Sequence, residues 1–245
     1  MKTFQLVLAV LAITSTSLVN AGVKNVVLVH GAFADGSGWK PVATILERHG
    51  YTVFVVQEPL TSFEADVAAT RLVLDRSGPC VLVGHSWGGM IITEAGTHAA
   101  VRSLVYINAF QPEVGETAGA LQGKIAPAAT SVGPVGGGFV AVKPEAFSRD
   151  FATDLPKSLA HFMSISQVPI AAASFGATVK STAWSQKRSY AVVSTQDRMI
   201  NPELERFMSA RAKSETIELS GSHAVFLSHP NEVASLIEKA AKAAE

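Results

Sequence analysis

Three side chains far apart in this sequence have the types and settings that acyl transfer through a covalent intermediate requires: Ser86, Asp197 and His223. Ser86 stands in the run Val81-Leu82-Val83-Gly84-His85-Ser86-Trp87-Gly88-Gly89. An apolar β-branched strand leads into Gly-x-Ser-x-Gly and then into a helix, the form of a nucleophile elbow. On such a turn the serine backbone is strained, and small neighbours let strand and helix approach closely enough to make it. Gly84 and Gly88 supply that room, so the Ser86 hydroxyl is expected to stand exposed above the sheet edge.

A serine hydroxyl is a poor nucleophile at neutral pH. It needs a base, and the base needs an acid to orient it. With the nucleophile on an elbow, the chain order is serine, acid, histidine, the last two on loops after later strands. Of the 7 histidines, His223 alone follows a late core strand and precedes the last helix, in Leu219-Ser220-Gly221-Ser222-His223. The others read as structural: His30 ends the first strand and pins the loop after it, His49 and His98 lie near helix ends, His161 is in a long insertion, His229 begins the last helix, and His85 fills the variable place beside the serine. The acid expected after the fifth strand is Asp197, in Ser194-Thr195-Gln196-Asp197-Arg198. Glu113 and Glu116, after the fourth strand, are the alternatives, because an acid can reach the same histidine from that neighbouring edge.

The oxyanion of a tetrahedral intermediate needs donors. One is the backbone N–H of Trp87, at a helix N-terminus whose dipole favours negative charge. The other is assigned to Ala32 N–H, in the small-residue loop His30-Gly31-Ala32-Phe33-Ala34-Asp35-Gly36-Ser37-Gly38-Trp39. Trp39 is expected to pack helix against sheet.

These residues must be carried by a frame, and the chain alternates strands and helices. Strands are expected at Asn25 to His30, Thr52 to Gln57, Cys80 to Gly84, Ser103 to Ala109, Tyr190 to Thr195 and Thr216 to Leu219. Helices are expected from Trp39 to His49, from a Thr61/Glu64 capping box to about Arg76, from Ser86 to near His98, and from about Pro230 to the end. Near-continuous apolar strands separated by helices predict an α/β fold: a mostly parallel sheet of about six strands with helices on both faces. Residues 111–187 interrupt the alternation, rich in Gly, Pro and Ala first and helical from Pro144 to Ser164 later. An insertion that long is usually functional. Its aromatics (Phe139, Phe147, Phe151, Phe162, Phe175, Trp184) predict a lid over the strand ends with an apolar underside, some of them forming a small core of its own.

Composition limits the alternatives. Hydrophobic residues make up 48% and charged residues 16%, with 20 basic against 20 acidic side chains and no long like-charge run. Nothing there points to a nucleic acid or an anionic membrane as partner. Lys2, the apolar segment Phe4 to Ile13 and the exit Val19-Asn20-Ala21 predict a signal peptide over residues 1–21, a mature chain beginning near Gly22, and export to periplasm or medium with no stable membrane insertion. Cys80 is the only cysteine, so no internal disulfide can form, and it reads as a small buried hydrophobe.

Taken together, His30-Gly31-Ala32 with Trp39, Gly84-His85-Ser86-Trp87-Gly88-Gly89, Asp197 with Asn201-Pro202, and Ser222-His223-Ala224 resemble the α/β-hydrolase superfamily, in the branch holding plant methyl esterases and hydroxynitrile lyases, a pattern bacterial exported esterases share. The resemblance implies an ester hydrolase working through an acyl-enzyme on a small-molecule ester, without cofactor or metal. Two departures separate this chain from the lyases, which carry a threonine after the first-strand histidine and a lysine after the catalytic one. Gly31 and Ala224 stand there, and a developing cyanide would lack its cation. Lactone, carbon–carbon or peroxide-dependent chemistry on the same scaffold, or a small-molecule receptor with slow turnover, are the competing readings. Oligomeric state is not legible.

Overall fold

The computed structural model describes residues 22–244; the expected signal peptide lies outside them. Six strands form one sheet: β1 (Asn25–Val29), β2 (Thr52–Val55), β3 (Cys80–His85), β4 (Val101–Ile107), β8 (Arg188–Ser194) and β9 (Glu215–Leu219), in the spatial order β2-β1-β3-β4-β8-β9. All five neighbouring pairs are parallel. The fold class is as the sequence predicts, and β3, which leads into Ser86, lies inside the sheet.

Both faces are covered, which is why these strands read as continuous apolar runs. Val26, Leu28, Val81, Val83, Val105 and Ile107 point to the face closed by α1 (Lys40–Arg48) and α9 (Pro230–Lys242). Val27, Val29, Leu82, Leu104 and Tyr106 point to the other, closed by α2 (Phe63–Ser77) and α3 (Gly88–Ala95). Adjacent residues thus enter opposite cores, the period-2 alternation of a strand. Cys80 is fully buried at the start of β3, and burial pushes its thiol up.

Between β4 and β8 the chain forms α4 (Ala118–Lys124), β5 (Val132–Gly136), β6 (Phe139–Val142), α5 (Pro144–Asp150), α6 (Lys157–Ser166) and β7 (Ile170–Ala171), and β5-β6-β7 make a second sheet of three strands. The glycine stretch, for which the sequence predicts no element, is the hairpin β5-β6, whose turn Gly136-Gly137-Gly138 has φ of +101°, +59° and +81°. The expected helix from Pro144 to Ser164 is two helices, one ending at Asp150 and the other starting after Pro156, which disfavours helical backbone at Leu155 and so keeps them from joining. The N-cap of α2 is Ser62, whose hydroxyl accepts from Ala65 N–H at 3.1 Å, one residue later than the expected Thr61. After β8, α7 (Pro202–Arg211) precedes β9, and a short α8 (Val225–Ser228) precedes α9.

In a parallel sheet every strand ends at the same edge. Ser86, Asn108, Asp197 and His223 follow β3, β4, β8 and β9, and so meet at that edge, where such sheets bind their ligands.

Candidate active site

Ser86 has a left-handed backbone, φ +55°, the sparsely populated conformation expected of an elbow. Its carbonyl accepts from Gly89 N–H at 3.0 Å and Phe110 N–H at 3.2 Å, and its own N–H donates to Ile107 carbonyl at 3.2 Å. Close approach explains the flanking glycines. A Cβ at residue 84 would lie 2.6 Å from Gly88 carbonyl oxygen, and one at residue 88 would lie 2.7 Å from that of His30. Ser86 is 7% exposed and lines a cavity of about 310 Å³ with Ala32, Trp87 and Phe175. No charged side chain lines that cavity; Gln122 and Thr130 are its other polar members.

The structure brings His223 and Asp197 together. The Nδ1–H of His223 donates to Asp197 Oδ2 over 2.6 Å, with both side chains shielded from solvent. Asp197 is braced on every side: its Oδ1 accepts from Met199 N–H at 2.7 Å and Ile200 N–H at 3.0 Å. Its Oδ2 also accepts from Asn108 Nδ2 at 3.1 Å, and the same amide donates to Ser222 carbonyl at 3.2 Å. With Nδ1 committed as a donor, Nε2 is left as the lone-pair nitrogen a general base needs. The alternative acids are engaged elsewhere. Burial works against the charge of Glu116, yet Arg211 and Lys124, donating at 2.8 and 2.7 Å, hold it down at about 2. Glu113 lies 3.6 Å from Arg211 at the surface.

His85 joins the elbow to the histidine loop. Its Nε2–H donates to His223 carbonyl at 2.9 Å, and full burial, then the neighbouring His223, keep its ring well below the usual histidine range and neutral. His30 pins loops as expected: Nδ1–H donates to Gly31 carbonyl and Nε2 accepts from Glu58 N–H, both at 2.9 Å. Trp39 is fully buried against Phe226, with ring centroids 4.7 Å apart.

Ala32 and Trp87 line the cavity with Ser86, and among the described residues neither backbone N–H donates to a protein acceptor. The Trp87 indole is held from behind by Asp66. Gly31 packs against the elbow so tightly that a Cβ there would stand 2.7 Å from Ser86 Cβ and 2.9 Å from His85 Nδ1. The threonine of the lyases therefore has no space in this backbone.

The insertion also grips the histidine loop. Asp154, between α5 and α6, accepts from Ser222 N–H at 3.0 Å, Ser228 hydroxyl at 2.7 Å and the Ser222 hydroxyl. Phe151 carbonyl accepts from Ala224 N–H at 3.1 Å, and the Phe151 ring stands edge-on to His223 at 4.8 Å. Phe147 stacks on Phe151, whereas Phe162 is 61% exposed and does not line the cavity.

Sequence reasoning missed Asn108, Asp66 and Asp154. Only Asn108 carried a signal, a lone amide closing an apolar strand; its φ of +44° suits asparagine. Among the described residues no group of three His, Cys, Asp or Glu side chains is placed to hold a metal, and no helix is long and apolar enough to cross a membrane.

The sequence matches the model of the α/β-hydrolase family over residues 26–236. It is 33% identical over 128 residues to a carbendazim hydrolyzing esterase of Nocardioides sp. (strain SG-4G), an alignment covering 46% of this chain and 53% of the relative. The chain thus spans about half the length of that curated relative. The fold superposes on a pyrethroid hydrolase from Sphingobium faniae JZ-2 with a TM-score of 0.77 at 21% identity, over 90% of this chain and 98% of the other. An extracellular α/β-hydrolase from a Paenibacillus species gives 0.75 at 18% identity, over 89% and 98%. At such identities these structures speak to the fold, and the family match, spanning the elbow, Asp197 and His223, speaks to descent: the chain belongs to the α/β-hydrolase family.

Proposed function

We propose that this protein is a serine carboxylesterase acting on small to medium uncharged esters. Ser86 attacks the ester carbonyl while His223 takes its proton, and the oxyanion rests on Ala32 and Trp87 N–H. His223 returns the proton to the departing alkoxide, leaving an acyl-enzyme. Water, deprotonated by His223, then releases the acid. Asp197 holds the imidazole in the tautomer this needs and stabilises the imidazolium.

The observation that carries this reading is the buried 2.6 Å contact between His223 and Asp197, at the sheet edge where the Ser86 elbow opens into an uncharged cavity. A charged substrate group would lose its hydration there without a partner. Residues 111–187 serve in this reading as a lid, since Gln122, Val132, Val140 and Phe175 roof that cavity. Export with removal of residues 1–21 belongs to the same proposal. Val23 N–H donates to Ala241 carbonyl at 3.0 Å, so a chain starting at Gly22 would have its first residues tied to α9.

The test is Ser86→Ala in the purified mature protein. It should stay folded, lose turnover of nitrophenyl acetate and butyrate, and lose labelling by a fluorophosphonate probe. Turnover that survives the substitution refutes the assignment. Carbendazim and pyrethroids, the compounds for which similar proteins are named, belong in the panel that follows.

A further inference from the structure

A second carboxyl group is buried behind the first. Glu205, in the first turn of α7, is 2% exposed; its Oε2 accepts from Ser194 N–H, and the Ser194 carbonyl in turn accepts from Asp197 N–H at 3.2 Å, which sets the Glu205 carboxyl against that of Asp197. Two ionised carboxylates are acceptors only, so such a contact requires one shared proton. The surrounding donors decide which group holds it. Asp197 accepts from Met199, Ile200, Asn108 and His223. Glu205 accepts only from Ser194 N–H, at 3.3 Å, and its Oε1 meets no protein donor. Arg206, a cation on the same helix, is committed to Glu203 and Glu218 at the surface. Four donors stabilise a negative charge on Asp197 and one long bond stabilises it on Glu205, so the proton belongs to Glu205.

We propose that Glu205 is a neutral carboxylic acid at physiological pH that donates a hydrogen bond to Asp197, a positioning residue that sets how strongly Asp197 attracts the His223 imidazolium. This rests on the reading of Ser86, His223 and Asp197 as the catalytic set. Burial first, then the charge of Asp197, pushes the Glu205 carboxyl well above the usual carboxylate range. The added donor draws charge from Asp197 and makes it a weaker partner for the imidazolium.

The test compares Glu205→Gln and Glu205→Leu. Glutamine keeps both bonds, its amide donating to Asp197 and its oxygen accepting from Ser194; leucine keeps neither. The acid limb of kcat/KM reports the His223 pKa in the free enzyme. In Glu205→Gln that limb should not move, with kcat/KM at pH 7 within about twofold of the parent. In Glu205→Leu it should rise by about half a pH unit or more, because Asp197 loses a donor. A fall of the limb in the glutamine variant would mean that a negative charge had been removed and would overturn the proposal. An unmoved limb in a folded leucine variant would also overturn it. Should the leucine variant not fold, infrared difference spectra decide: a protonated-carboxyl stretch present at pH 7 in the parent must vanish in Glu205→Gln, and its absence from the parent refutes the neutral acid. The infrared measurement and an NMR titration of His223 need no turnover, so their failure is separable from a failure of the Ser86→Ala test.

Discussion

The indole N–H of Trp87 donates to Asp66 Oδ2 over 2.9 Å, with both side chains fully buried. Asp66 also accepts from Leu60 N–H at 2.8 Å, so one carboxylate on α2 fastens the residue after the nucleophile to the loop after β2. The backbone N–H proposed to hold the oxyanion is thereby set from behind.

Trp87→Phe is expected to leave Asp66 with one donor and to lower stability by about 1–3 kcal/mol. The pH dependence follows from the carboxyl. Burial raises Asp66 from 3.8 to about 6, against the pull of the Trp87 and Leu60 bonds. A raised folded-state pKa gives stability that is present below 3.8 and lost as pH rises through about 6. Removing the indole donor raises that pKa further, so chemical denaturation should show a larger deficit at pH 7 than at pH 4. A deficit equal at the two pH values refutes this.

Asn108→Asp keeps the shape at φ +44° but replaces the amide donor with a carboxyl facing Asp197. If ionised, it repels Asp197; if protonated, its single O–H cannot serve both Asp197 and the Ser222 carbonyl, as the amide does. Either way kcat/KM should drop at least about tenfold, and stability by about 2 kcal/mol. Steady-state kinetics beside thermal melts would show it, and unchanged kinetics would mean that Asn108 does not brace the acid.

Asp154→Ala frees the His223 loop from the insertion. Burial opposes the Asp154 charge, but Ser222 and Ser228 donate enough to leave its carboxyl below the usual value. A lowered folded-state pKa gives stability present above the ordinary carboxylate range and lost as pH falls. The variant should therefore be weaker than the parent near neutrality by about 1–3 kcal/mol and approach it in acid. kcat should fall with KM little changed, since Asp154 does not line the cavity. A rise in KM alone would contradict that division.

Gly31→Ala forces a methyl to 2.7 Å from Ser86 Cβ. Overpacking of this kind costs about 1–3 kcal/mol, and here the strain falls on the elbow itself. Fluorophosphonate labelling should slow more than tenfold in a variant that still melts cooperatively; labelling at the parent rate would show that the loop yields freely.

The sequence by itself determined the alternating frame, the parallel sheet, the elbow at Ser86 and the places of Asp197 and His223, because these depend on local patterns: apolar runs of strand length, helix stops, and small residues flanking a serine. It also showed Gly31 where the lyases carry threonine, though only the structure shows that a side chain has no room there. It misread what long-range contacts decide. The Gly133–Gly138 stretch, for which the sequence predicts no element, forms β5 and the turn of a hairpin with β6, which β7 flanks on its other edge. Phe162 faces outward though its composition suggested an inward role. Asp66, Asp154 and Glu205 were invisible as site residues, and Asn108 showed only as a lone amide closing an apolar strand, since each works through a partner between 21 and 89 positions away or, for Glu205, through a carboxyl that helix and loop bring together. A polar side chain in a sequence looks the same whether it ends in water or in a buried bond, and only the packed tertiary structure, by excluding water around it, decides which.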